Sequence, residues 1–217
     1  MALAIFDLDE TLIDGDCASL WSGEMAKLGW VDGASFLQKD HELMALYAEG
    51  KLAMEDYMAF SLSPLVGRTA AEIAHVVEPF VEEVIEPLIY SDACRYLAQH
   101  RAAGDRVLVI SASAHFLVSA IAARLGIEEV LAIDLSEAHG CYNGQTRGVL
   151  TYREGKITRL QTWLEEQGES LDGAYFYSDS RNDLPLLQLV SKPHAVNPDP
   201  VLRRHAEQAG WPILSWK

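Results

Sequence analysis

Four short apolar runs, each ended by acidic, basic or hydroxylated residues, punctuate the chain: Leu3–Phe6 and residues 106–110, 130–133 and 174–177. Runs of this length with no polar alternation are the pattern of strands buried on both faces of a parallel sheet. Residues 195–196 and 212–214 are weaker strand candidates. Between these runs, helical periodicity predicts helices over residues 92–103, 115–125, 158–167 and 184–189. Strands alternating with helices predict an α/β fold, a doubly wound parallel sheet. Residues 140–157 mix Gly, Asn and Thr with apolar residues and read as a hairpin-like excursion.

Residues 14–87 break the alternation. Apolar positions recur at helical spacing there (Leu20, Trp21, Met25, Leu28; Leu43, Leu46, Tyr47; Met54, Tyr57, Met58), with little strand signal. The pattern predicts a helical insert over 14–90, splitting a core made of 1–13 and 91–217, with hinges near 13–15 and 87–91. The start of the chain lacks a basic segment and runs straight into Asp7, so it reads as a first strand and not as a signal peptide.

Composition narrows the picture. With 49% hydrophobic and 23% charged residues in 217, one globular α/β unit with an insert is expected. A net charge of −15 repels nucleic acid and anionic membrane surfaces, so neither is an expected partner. An anionic ligand would be repelled too, unless a bound cation and a lysine supply local positive charge. Cys17, Cys94 and Cys141 have neither disulfide nor zinc spacing, and a reducing cytoplasm is the expected setting. No apolar run approaches the roughly 18 residues needed to span a membrane.

Four constellations carry possible chemistry, and each has a plainer reading. Asp7 and Asp9, in Asp7-Leu8-Asp9-Glu10-Thr11, follow the first strand, where open α/β sheets bind ligands. One carboxylate can attack as a nucleophile while the other moves protons; alternatively, the acids and Thr11 merely cap the next segment. Ser111, with the Ala112 and Ser113 N–H groups, follows the second strand and would form an anion site at a helix start, or an ordinary cap. Lys156, placed before a helix, would neutralise an anion, although a lone lysine is usually just solvated. In Ser178-Asp179-Ser180-Arg181-Asn182-Asp183, two carboxylates and an amide follow another strand and suit a hard cation, or simply an acidic helix start.

In this order, strand-DxDxT, strand-Ser, Lys and strand-SDxxxD resemble the four motifs of the haloacid dehalogenase superfamily over essentially the whole chain. The helical insert after the first motif resembles the C1 cap of the subgroup containing phosphoserine phosphatases. The resemblance implies that Asp7 is the nucleophile of an aspartyl-phosphate mechanism and Asp9 the general acid/base. It implies Mg²⁺ on the Asp7 carboxylate, the Asp9 carbonyl and Asp179, supported by Asp183. It further implies a phosphoryl group bound by Ser111, Ala112 and Lys156, with Thr11 and Asn182 in the same motifs. Asp at position 9 implies phosphoester hydrolysis; Ser178 departs from the glycine usual in the family.

For the substrate, Glu49-Gly50-Lys51-Leu52 resembles a phosphoserine phosphatase segment, but Ser61 stands where those enzymes carry the arginine that clamps the substrate carboxylate. Asp16 matches the acid that faces the substrate ammonium. Residues 14–87 hold fourteen acids and four bases, which is either a solvated surface or a selector for a cationic leaving group. The segment 177–187, with Gly15-Asp16 and Leu20-Trp21, also resembles a branch that includes histidinol-phosphate phosphatases. The expectation is therefore a small phosphorylated metabolite, an amino-alcohol phosphate such as histidinol phosphate, then phosphoserine, handled by a monomer or homodimer. Phosphoryl transfer to another acceptor stays open. A phospho-accepting signalling domain would place its aspartate on a central strand without the insert, and a non-catalytic relative would be expected to lack Asp7 or Asp9.

Overall fold

The computed structural model describes residues 2–217. Seven strands form one sheet in the order β4-β3-β2-β1-β5-β6-β7. They are β1 (Leu3–Phe6), β2 (Arg106–Ala114), β3 (Glu129–Ala138), β4 (Cys141–Arg147), β5 (Tyr175–Ser178), β6 (Lys192–Val196) and β7 (Ile213–Leu214). All neighbours pair parallel except β3 and β4, an antiparallel hairpin at one edge. The sequence-predicted excursion is thus this hairpin, and it begins earlier than its Gly and Asn content indicates because β3 runs on through Ala138.

Alternation along β1 explains both layers. Leu3 and Ile5 pack on one face with Leu108, Ile110 and Phe176, under α7 (Glu154–Gln167), α8 (Leu184–Leu187) and α9 (Pro200–Ala209). Ala4 and Phe6 face the other way, under α5 (Ser91–Ala102) and α6 (His115–Arg124). Side chains on a strand alternate between faces, so a strand covered on both sides is apolar throughout. Helix α9 has no strong apolar run, half of its ten residues being polar; Asp199, accepting the Val201 and Leu202 N–H groups, and Pro200 in the first turn are the start signals that mark it.

Between β1 and α5 lie α1 (Cys17–Lys27), α2 (Gly33–Ala48), α3 (Met54–Leu62) and α4 (Ala70–Phe80). The two chain segments leading into and out of this helical region lie side by side: Ile13 bridges Ile89, Asp14 N–H donates to Leu88 O at 2.8 Å, and Tyr90 N–H donates to Leu12 O at 3.1 Å. Trp21, Met25, Tyr57, Leu65 and Phe80 join the same apolar cluster as Phe6 and Val118, so the helical region shares a core with one face of the sheet.

Candidate active site

The chain adds β2, β3 and β4 on one side of β1, then crosses to add β5, β6 and β7 on the other. The carboxyl end of β1 is therefore the topological switch point, where open α/β sheets form a crevice. Asp7 sits there, its N–H donating to Tyr177 O at 2.9 Å. Asp7 is 5% exposed, and its carboxylate accepts from Lys156 Nζ at 3.0 Å. The same Nζ, only 2% exposed, lies 2.8 Å from the Asp183 carboxylate, which also accepts from Ser178 Oγ at 2.7 Å.

Lys156 stands in the first turn of α7, not before a helix as its sequence context indicates. Gly155 conceals the helix start. A Cβ at that position would lie 1.9 Å from the Leu150 carbonyl oxygen, so only glycine lets this turn approach that closely. Ser111 corrects a second expectation, since β2 continues to Ala114 and α6 starts at His115. Ser111 is in a bulged strand end, where its hydroxyl accepts from Ser113 N–H at 3.0 Å and its carbonyl from Thr151 Oγ1 at 2.5 Å.

Asp9 is held from three directions: Cys17 N–H donates to Oδ1 at 2.7 Å, Ser113 Oγ to Oδ2 at 2.9 Å and Ser111 Oγ to Oδ2 at 3.4 Å. Cys17, Thr151 and the Ser113 hydroxyl are supports that the motif reading does not include, and Ser178, read there only as a departure from glycine, supports Asp183. Thr11, fully buried, is turned to a different task from phosphate contact: its hydroxyl donates to Asp179 Oδ1 at 3.2 Å and accepts Asp179 N–H at 3.1 Å, tying the β1 loop to the β5 loop. Asn182 likewise lies off the cleft. Its Nδ2 donates to Tyr47 O at 3.3 Å, while its Oδ1 accepts from Tyr152 Oη and Arg153 Nε, each at 3.3 Å. Arg153 also donates to the Gly50 carbonyl, so this amide joins the helical region to the core.

Asp7, Asp9, Asp16, Ala112 and Asp179 line one cleft of about 230 Å³ beneath Met44 and Tyr47. Asp16 caps α1 by accepting Ser19 N–H at 2.7 Å. Burial pushes the Asp7 carboxyl well above the usual range against the pull of Lys156, with Asp183 and Asp9 adding to the rise. Burial, then Asp7 and Asp183, raise Asp179. Burial and Asp9 lift Asp16 to about 7. Burial disfavours the Lys156 ammonium, but Asp183 and Asp7 outweigh it and hold its pKa above the ordinary lysine value.

The site thus concentrates carboxylates around one lysine. Among the described residues no three Asp, Glu, His or Cys side chains form a ready-made metal cage. Magnesium does not require one, since it binds through one or two carboxylates and keeps several waters. The raised Asp7 and Asp179 carboxyls are the crowded hard-oxygen donors that a dication would relieve, and the Asp9 carbonyl follows on the same loop. The donor set fits Mg²⁺.

The profile of the haloacid dehalogenase-like hydrolases matches residues 4–188. The chain belongs to this family. Over 220 aligned residues it is 42% identical to a histidinol-phosphatase of Neisseria meningitidis, covering 99% of each chain. It is 31% identical to phosphoserine phosphatase SerB1 of Mycobacterium tuberculosis, covering all of this chain and 71% of that one. A Bordetella pertussis protein of unknown function superimposes with a TM-score of 0.91 at 36% identity, with 98% and 97% covered. A phosphoserine phosphatase solved as a phospho-aspartyl intermediate analogue does so at 0.72 and 19% identity, with 100% and 93% covered, which is a likeness of fold. As a haloacid dehalogenase-like hydrolase, the protein is a phosphomonoesterase acting on a small phosphorylated substrate.

Proposed function

We propose that this hydrolase is a Mg²⁺-dependent histidinol-phosphate phosphatase working through an aspartyl phosphate on Asp7. The observation that carries the reading is the cleft itself. Asp7, bonded to the buried Lys156, lines it, and the lining of the cleft and of its extension into the helical region includes Asp9, Asp16 and Asp179 but no Lys, Arg or His among the described residues. An acidic lining disfavours a leaving group with a free carboxylate and favours a cationic one. The extensive identity to the N. meningitidis histidinol-phosphatase supports the same choice.

In the first step an Asp7 carboxylate oxygen attacks phosphorus in line, while the Asp9 carboxyl gives its proton to the departing alcohol oxygen. In the second, Asp9 takes a proton from water, whose oxygen attacks phosphorus and returns the Asp7 carboxylate and inorganic phosphate. The Cys17 N–H and Ser113 hydroxyl hold Asp9 in one orientation for both transfers. Lys156 offsets negative charge beside the nucleophile, and Ser111 and Ala112 border the phosphoryl position. When bound by Asp7, the Asp9 carbonyl and Asp179, Mg²⁺ would supply the remaining charge neutralisation at the phosphoryl oxygens. The helical region acts as a cap, with Asn182 and Arg153 linking it to the core.

The test is phosphate release from histidinol phosphate, phosphoserine and sugar phosphates, with Mg²⁺ and with EDTA. A kcat/KM for histidinol phosphate at least about 10-fold above the others, abolished by EDTA, is expected. Preference for phosphoserine would overturn the substrate, and full activity in EDTA would overturn the metal.

A further inference from the structure

Beyond Asp16 the cleft continues into the helical region as a narrow extension, bounded by Met44, Leu52, Met54 and Tyr57 above and by Asp9 and Asp16 below. Its other lining residues are Ala18 and Ala112, which are apolar, and Tyr47 and Ser113, which carry hydroxyls. Tyr57 is 5% exposed, and its hydroxyl has no hydrogen-bond partner in the protein. Buried phenols almost always find a partner, so an unpartnered hydroxyl on a residue that borders this extension points to one supplied by the ligand.

The surroundings define that ligand. Asp16 is joined through Ser19 to a second carboxylate: the Ser19 hydroxyl donates to Asp40 Oδ2 at 2.8 Å and the Ser22 hydroxyl to Asp40 Oδ1 at 3.0 Å. Asp40 is 4% exposed, and no basic side chain pairs with it among the described residues. Ser61, one helical turn beyond Tyr57 on α3, donates to the Met58 carbonyl of its own helix at 3.4 Å and adds no positive charge. A phenol oxygen, a nearby carboxylate pair and apolar walls together suit an N–H-bearing cationic group on a flat or apolar stem.

We infer that Tyr57 is a specificity-determining residue, its hydroxyl binding the nitrogen-bearing end of the leaving alcohol alongside Asp16. The inference rests on the reading of this cleft as the phosphoester site. A phenol can accept an N–H and donate in turn, so it complements Asp16, which can only accept when ionised. Tyr57→Phe removes the hydroxyl and keeps the ring, and deleting an unpartnered buried hydroxyl should leave the melting temperature unchanged or higher.

Two measurements separate this contact from a structural role. The first is kcat/KM of the wild type and Tyr57→Phe on histidinol phosphate, phosphoethanolamine and 4-nitrophenyl phosphate. A loss of about 10- to 100-fold on at least one amine-bearing substrate, with 4-nitrophenyl phosphate, which has no N–H, held within about twofold, is expected. Equal losses on all three, or none on either amine-bearing substrate, would overturn it. The second is calorimetric binding of histidinol, which needs no turnover: wild-type binding weakened at least about 10-fold in Tyr57→Phe is expected. Equal affinities, or no binding to the wild type, would overturn it. If the wild type shows no preference for histidinol phosphate while Tyr57→Phe still loses activity selectively on an amine-bearing substrate, the proposed substrate fails and the Tyr57 assignment stands.

Discussion

Replacing Lys156 by methionine tests whether a single buried cation holds the site together. The ammonium makes two charge-assisted hydrogen bonds, at 3.0 Å to Asp7 and 2.8 Å to Asp183, and it is the one basic group paired with either among the described residues. Methionine keeps the stem that packs in the core and deletes the charge. Hydrogen bonds to charged groups are worth about 1.5–3 kcal/mol each, and removing one partner of a buried pair costs about 3–5 kcal/mol. Each kcal/mol shifts the melting temperature of a chain this size by about 2–4 °C, so a fall of about 6–20 °C is expected in EDTA. Proton uptake by the stranded carboxylates limits the loss toward the lower figure. Mg²⁺ should restore part of the melting temperature, since a dication offsets the same crowding of Asp7, Asp179 and Asp183. Activity is expected to fall by about 10²–10³-fold even in saturating Mg²⁺, the effect of deleting a preorganised charge at a reacting centre. Thermal unfolding by circular dichroism and phosphate release from one substrate provide both readings. A variant that melts within 2 °C of the wild type, or keeps activity within about threefold, would refute the role given to this lysine.

Three further outcomes follow from the same geometry. Asp7→Asn should lower turnover by at least about 10⁴-fold while the circular dichroism spectrum stays native, and Mg²⁺-dependent activity within about 10-fold of wild type would refute Asp7 as nucleophile. Gly155→Ala should cost about 1–3 kcal/mol or more and lower activity with it, because a Cβ lying 1.9 Å from the Leu150 carbonyl must push back the turn carrying Lys156; an unchanged denaturant midpoint would contradict this. Asp16→Asn keeps an N-cap on α1 and removes a carboxyl raised to about 7 by burial, Asp9 and Asp40. A raised folded pKa withdraws stability as pH climbs from about 4 to about 7, so in EDTA the variant should match the wild type near pH 4 and exceed it at pH 8. The full shift corresponds to about 4 kcal/mol, and with Asp16 partly exposed to solvent about 1–2 kcal/mol is expected. A stability difference independent of pH would refute it.

Much of the framework was already legible in residue pattern. The run Leu3–Phe6 is fully apolar because β1 is covered on both faces, and the acids that end it mark the crevice. Helical spacing in residues 14–87 marked the inserted region for the same reason, since each helix turns one apolar stripe inward. Local rules also indicated four loops that supply the candidate site, because ligands gather beyond the carboxyl ends of parallel strands.

Long-range packing decided what those residues do there. Ser111 read as an anion site at a helix start, or a cap, and proved to lie in a bulged strand, whose pairing with β3 and whose carbonyl bond from Thr151, 40 positions on, are tertiary contacts. Lys156 carried almost no signal alone, and its pairing with Asp7, 149 positions away, exists only because α7 delivers it beneath β1. Thr11 and Asn182 sit in motif positions, yet their bonding groups face Asp179 and the helical region. Ser113 and Tyr57 resemble any other serine and tyrosine in the chain. What sets them apart is a hydrogen bond to Asp9 in one case and a buried hydroxyl without a partner in the other, both products of which surfaces the fold brings together.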